Sequence, residues 1–200
     1  MSSFVFHEHA MFKAMKLGII SDTHGELHPR VHDFFANVDH IVHAGDVGGR
    51  DVLAELETIA PVTACRGNSD RGVLFDRLPD VGILETPGGI LAVTHKPPRG
   101  APPFATLHAD PAPSIIVFGH THFPKVLDDA GILLINPGSA LRGRGAPPTV
   151  ALLELQQGSA PEVKFYCLQS GALFPVSLTK RHTHGSSGEM KIPNLEKLDI

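Results

Sequence analysis

The sequence predicts an α/β fold of two packed β-sheets with helices outside, on three observations. From Lys16 to about Val126, short apolar runs alternate with segments of helical period, the pattern of βαβ units and a largely parallel sheet. Beyond His122 the runs KVLDD, GILLINP, TVALLELQ and EVKFYCLQ are separated by turn residues without helical segments, which reads as antiparallel strands. Five of the earlier runs (KLGIIS, HIVHAG, PVTACRG, ILAVT and SIIVFG) each stop just before a residue type that binds metal ions.

The bulk composition sets limits. A chain of 200 residues fits one sheet-based core, because single cores grow until roughly 250 to 300 residues before splitting. Hydrophobic residues make up 42% and charged ones 19%, an ordinary globular mixture that excludes disorder throughout. The net charge is -4 and no run of five Lys or Arg occurs, so tight nucleic-acid binding is not expected. No apolar stretch is long enough to span a bilayer, and the start MSSFVFHEHAMFK lacks the apolar region of a signal peptide, so a soluble cytoplasmic protein without membrane contact is expected. Cys65 and Cys167 read as buried, reduced thiols, since their spacing indicates no disulfide framework.

Three segments follow in order. Residues 1–14 form an N-terminal extension without clear periodicity, and Met11 and Met15 are alternative starts. Residues 15–170 form the main domain. Within it VHDFFANV at 31–38 places Val31, Phe34, Phe35 and Val38 on one helical face, and DVLAELETI at 51–59 reads likewise. The stretch between His95 and Ser114 is proline-rich and leaves room only for a short helix, about PFATLHA, within a loop beside the strand ends. Residues 171–200 contain the apolar ALFPVSL, expected to dock, and then the polar RHTHGSSGEM, expected to be a loose tail. The apolar part could equally serve a homo-oligomer interface.

The strand ends carry the chemistry. In open α/β sheets ligand sites form beyond the carboxyl ends of the strands, so Asp22, His24, Asp46, Asn68, His95, His120 and His122 are expected to meet. Asp22 and His24 are two residues apart, as are His120 and His122, and residues i and i+2 of an extended segment face one side. Carboxylate and imidazole without thiolate suit Mn, Fe, Zn, Ni or Co and argue against a structural zinc knot. Of the 13 histidines, His7, His9, His182 and His184 lie near the termini and share no role.

Asp22-Thr23-His24, Gly45-Asp46, Gly67-Asn68-Ser69-Asp70, Thr94-His95 and Gly119-His120-Thr121-His122 occur in the order and approximate spacing of the calcineurin-like metallophosphoesterases. The chain most resembles their small bacterial and archaeal members over residues 16 to about 140, including the loop Asn136-Pro137-Gly138-Ser139. The resemblance implies a four-layer αββα sandwich of two mixed sheets flanked by helices. It also implies two divalent transition-metal ions, Mn ahead of Ni, Co, Fe or Zn, with Asp46 bridging. Asp22, His24 and His122 would complete one ion, and Asn68, His95 and His120 the other. The implied reaction is hydrolysis of phosphodiesters, with monoesters as further small-ester substrates, by a metal-bridging water or hydroxide. Two such ions with Asp22, Asp46 and a hydroxide would carry about +1, which attracts a phosphate ester and needs no protein nucleophile.

Two positions depart from the pattern. Many relatives carry a histidine after the asparagine to protonate the leaving group, whereas here Ser69 stands in its place, a poor general acid near neutral pH. After His95 many relatives have glycine, and this chain has Lys96-Pro97-Pro98-Arg99. Lys96, Arg99 and Arg66 are therefore candidates for contacting substrate phosphate, with Arg66 placed among the catalytic set beside Asp46, Asn68 and His95. The alternative is a retromer-subunit-like binding scaffold of the same fold without catalysis. A scaffold need not keep all seven ligands, and here all are present.

Overall fold

Leu17 and Ile19 of strand β1 (Met15–Ile20) point into one buried layer, while Ile20 points into another on the opposite face. A strand covered on both faces reads as a continuous apolar run, which is why KLGII shows no polar alternation. In this computed structural model β1 is central to one of two six-stranded sheets. Residues 14–72, 75–98 and 112–181 are described. Residues 1–13, Arg99, the expected short helix at 103–109 and the polar tail beyond 181 lie outside them.

In the first sheet, β1 pairs in parallel with β2 (His40–His43), and β2 in parallel with β3 (Val62–Ala64). On its other side β1 meets β9 (Thr149–Leu155) antiparallel, followed by β10 (Glu162–Cys167) and β11 (Leu173–Phe174). The second sheet mixes both senses. Strands β5 (Gly89–Thr94), β6 (Ile115–Phe118) and β8 (Ile132–Asn136) are parallel, whereas β4 (Val81–Thr86) and β7 (Lys125–Asp129) run antiparallel to β5 and β8. The later strands are thus not uniformly antiparallel, because β8 returns beside β6 as well as β7. Strand β12 (Leu178–Arg181) adds in parallel to β7, so 173–181 docks first on one sheet and then on the other.

Inward residues of both sheets, among them Leu17, Ile19, Val42, Leu91, Val93, Val117, Ile135 and Leu153, form one core between the sheets. Both described helices cover the outer face of the first sheet. Helix α1 (Arg30–Phe35) and helix α2 (Arg50–Glu57) bury Val31, Phe35, Val52 and Leu56 against Ile20, Ile41, Val150 and Leu152. Each is shorter at its C-terminal end than its apolar periodicity, since Val38 and Ile59 follow in turns but still pack on this layer. Gly18 is required beneath α1: a Cβ there would stand 2.9 Å from the Phe35 ring. Cys65 and Cys167 are buried and unbridged. No helix among the described residues is long and apolar enough to cross a membrane.

His43, at the end of β2, is wholly buried. Its Nε2 lies 2.9 Å from Thr23 Oγ1, and because that hydroxyl donates to the Val47 carbonyl, we assign the imidazole proton to Nε2. Burial pushes its pKa down from 6.5 to about 4, outweighing the attraction of Asp70 and Asp46. The folded pKa lies below the unfolded one, so the stability that neutral His43 allows is complete above ~6.5 and is lost as pH falls toward 4, by about 3 kcal/mol at most. Denaturant unfolding of the metal-free protein from pH 7 to 4 should lose stability more steeply in the native sequence than in His43→Gln, which keeps a donor for Thr23 without titrating. Parallel pH profiles for the two would remove this assignment.

Candidate metal centre

Five of the seven candidate ligands have left-handed backbone: Asp22 (φ 55°), His24 (47°), Asp46 (52°), His120 (68°) and His122 (60°). Among the other described non-glycine residues only Ala130 shares that region. Such conformations cost on the order of 1 to 3 kcal/mol each and persist where surrounding structure enforces them. Asp22 and His24 lie together with His122, while His120 lies against Asn68 and His95, and strand alternation is not what places them. Asp22 and His24 lie past the end of β1, and His120 and His122 past the end of β6, so successive left-handed kinks aim them at one centre. Asp46 follows β2, Asn68 follows β3 and His95 follows β5. The first sheet therefore supplies Asp22, His24, Asp46 and Asn68, and the second supplies His95, His120 and His122.

Two clusters of ligand atoms result, Asp22 with His24 and His122, and Asp22 with Asp46 and His95, each within 4.8 Å. Asn68 Oδ1 joins them, 3.0 Å from His95 Nε2 and 2.8 Å from His120 Nδ1. Asp22 belongs to both clusters. Of its oxygens, Oδ2 accepts the Ser21 hydroxyl at 2.6 Å and the His120 N–H at 3.1 Å, whereas Oδ1 is buried without a hydrogen-bond partner among the described residues. Its near neighbour is His122 Nε2 at 3.0 Å, out of hydrogen-bonding alignment.

The second nitrogens explain this. His122 Nδ1 lies 2.9 Å from the Arg142 carbonyl and His95 Nδ1 lies 2.8 Å from the Ala44 carbonyl. A carbonyl only accepts, so both Nδ1 atoms carry hydrogen and both neutral Nε2 atoms present lone pairs. Those lone pairs face carboxylate and carboxamide oxygens: His95 Nε2 is 3.4 Å from Asp46 Oδ2. Acceptors aimed at acceptors in a buried site need a cation between them, and a donor set of oxygen and imidazole without thiolate fits a divalent ion. Without an ion a proton can take part of that role. Burial alone would pull His95 down, but Asp46 and the Ala44 carbonyl together hold it above the usual histidine value. Burial likewise opposes the charge on Asp46, yet His95 and the N–H and hydroxyl of Ser69 keep its carboxyl well below the usual range.

Supporting residues, given no role from sequence, fix these loops. Asp70, 4% exposed, accepts the N–H groups of Val47 at 3.1 Å, Gly48 at 2.9 Å and Gly67 at 2.8 Å, which locks the Asp46 turn to the Asn68 turn. Asn136 donates to the Gly119 carbonyl at 2.8 Å and to Thr121 Oγ1 at 3.0 Å, and Ser139 Oγ donates to the Asp22 carbonyl at 2.9 Å. The NPGS loop thus bridges the two histidine-bearing turns. Asp70 and Asn136-Ser139 stood in the quoted motifs, but their roles depend on backbone N–H and carbonyl groups that a sequence does not display. Gly67 admits no side chain, because a Cβ would overlap the backbone nitrogen of Asp46. Ser69 is exposed, and its N–H donates to Asp46 Oδ1 at 2.8 Å. Arg66 and Lys96 do not join the ligand cluster; they line an adjoining cavity with Asn68 and His95.

A sequence model described as the calcineurin-like phosphoesterase superfamily domain matches residues 15–158. The chain belongs to that superfamily. A probable metallophosphoesterase of Methanothermobacter thermautotrophicus is 34% identical over 70% of this chain and 86% of its own length. A phosphodiesterase of Methanocaldococcus jannaschii is 26% identical over 74% of this chain and 98% of its own length. Among solved structures, the phosphoesterase Yfce of E. coli superposes with a TM-score of 0.60 at 25% identity, covering 80% of this chain and 97% of that one. Vacuolar protein sorting 29 of Cryptosporidium parvum gives 0.64 at 21% identity, covering 82% and 95%. The two mixed sheets are accordingly the calcineurin-like phosphoesterase fold, and the family is one of metal-dependent phosphoesterases.

Asp70→Ala should lower stability by about 3 kcal/mol, since it leaves two buried N–H groups and a part-buried one without their carboxylate acceptor. Denaturant unfolding measures this, and a loss under ~0.5 kcal/mol would contradict the locking role. Gly67→Ala should abolish metal uptake, read by equilibrium dialysis, because the Asp46 turn must shift to admit a Cβ.

Proposed function

We propose that this chain is a dinuclear metal-dependent phosphodiesterase. The observation that carries the reading is the set of lone pairs on His95, His122, Asp22, Asp46 and Asn68 turned toward one another at the rim shared by both sheets. Asp22, His24 and His122 would hold one ion, Asn68, His95 and His120 the other, and Asp46 would be shared. Asp46 suits that place because Ser69 fixes Oδ1 and leaves Oδ2 facing the centre. Bound divalent ions, Mn foremost, would lower the pKa of an attacking water and offset charge on the transferring phosphoryl group. His95 and His122 are held in orientation by their Nδ1–H bonds to the Ala44 and Arg142 carbonyls, so their Nε2 atoms need no reorganisation to bind.

The substrate follows from what the chain lacks. No histidine follows Asn68, and the Ser69 hydroxyl in that place is a poor general acid near neutral pH, so that position gives a poor leaving group little help. Activated diesters are therefore the better substrates. The family relatives named metallophosphoesterase and phosphodiesterase support this reading.

Metal analysis joined to hydrolysis of a chromogenic diester across Mn, Ni, Co, Zn and Mg tests it. Two ions per chain and turnover are expected, with turnover lost in Asp46→Ala together with His120→Ala; a diester rate no better than that of an alkyl monoester would overturn the substrate assignment. Metal uptake without hydrolysis of any ester would favour the scaffold alternative. Asp46→Ala should remove both ions and Asp22→Ala one, and the reverse stoichiometry would move the bridging role to Asp22, which touches both clusters. Ion affinity should fall as pH is lowered through the raised pKa of His95, because the proton on Nε2 competes with the ion, and calorimetry in two buffers should show protons released on binding.

A further inference from the structure

Beside the centre, a cavity of about 290 Å³ opens on Asn68 and His95. Its walls bring Arg66, Lys96, Asp80 and Thr94 together with those two ligands. Arg66 is held there by its own backbone, whose N–H donates to the Pro79 carbonyl at 2.8 Å, and by Asp80. Nε at 3.2 Å and Nη2 at 2.7 Å both reach one oxygen, Asp80 Oδ1. Nη1 has no partner among the described residues, so part of the guanidinium fork is available. The Asp80 side chain is 79% exposed, and an exposed ion pair of this kind contributes little, so a better anion can displace it.

We infer that this cavity binds a second phosphoryl group of the substrate, separate from the phosphoryl group being cleaved. The inference rests on the phosphoesterase reading above, and charge carries it further. A centre near +1 is matched by the single charge of a diester. Arg66 and Lys96 against Asp80 add a further unit of positive charge a few side chains away, which a simple diester leaves unmatched. A phosphoryl group matches it with oxygens suited to a guanidinium fork and to the point charge of an ammonium. The volume stands at the lower end for ligand sites, which suits a phosphoryl group with its linking atoms better than a whole nucleoside. The substrate class is thus a diester that also bears a terminal phosphate.

Dithymidine analogues with a non-cleavable methylenephosphonate link, unphosphorylated or carrying a 5′- or a 3′-phosphate, test this by calorimetry on the metal-loaded protein. One phosphorylated analogue should bind about ten-fold more tightly than the unphosphorylated one. Arg66→Ala and Lys96→Ala should each cut that advantage severalfold, and Asp80→Asn should enlarge it by releasing Arg66. Equal affinity for all three analogues, or an advantage that survives both alanine variants, overturns the inference. Hydrolysis of the cleavable counterparts is measured in parallel: no turnover with the binding advantage intact would defeat the phosphoesterase reading and leave the anion subsite standing.

Discussion

The site depends on a repulsion that the fold enforces. Asp22 and Asp46 are buried side by side with lone pairs of His95 and His122 directed at them, on turns whose backbone lies in a disfavoured region. Nothing in a single turn would keep these groups together. What does is a set of hydrogen bonds from outside the ligand set: Asp70 across two turns of the first sheet, Asn136 and Ser139 across turns of both, and Ser21 on Asp22. Each satisfies backbone groups that an irregular turn would otherwise bury unpaired. The strain is thus spread over neighbours that carry no chemistry of their own.

Much of this was legible from the residues. The buried parallel strands announce themselves as apolar runs, and every candidate ligand except Asn68, which follows the half-buried edge strand β3, falls just beyond one of them. The i, i+2 spacing of the paired candidates reflects left-handed kinks and not strand alternation, which residue types do not display. Strand β4 escaped notice: its residues are only partly covered at an edge, so VGILET lacks a sustained apolar run, and only the Pro87-Gly88-Gly89 turn signals the hairpin with β5. Roles built on backbone donors and acceptors, such as that of Asp70, cannot be read from side-chain types at all. Helix ends also shifted, as Val38 and Ile59 keep their apolar contacts from turns.

The same architecture occurs in vacuolar protein sorting 29 and in a phosphoesterase, so the sandwich alone decides nothing about activity. What bears on activity is local: oxygen and imidazole donors with oriented nitrogens, and one buried carboxylate oxygen without a partner among the described residues.

The division of the donor set between two sheets has a mechanical consequence. One group of ligands moves with β1, β2 and β3, the other with β5 and β6, and the spacing between the groups is set by Leu17, Ile19, Val42, Val93 and Val117 packed beneath them. Protein interiors are close-packed, so a change of one methylene in that layer alters the separation of the sheets by a fraction of an ångström. Coordination distances differ among divalent ions by similar amounts. A substitution in that hydrocarbon layer would therefore shift the two groups of candidate ligands against each other without touching any of them.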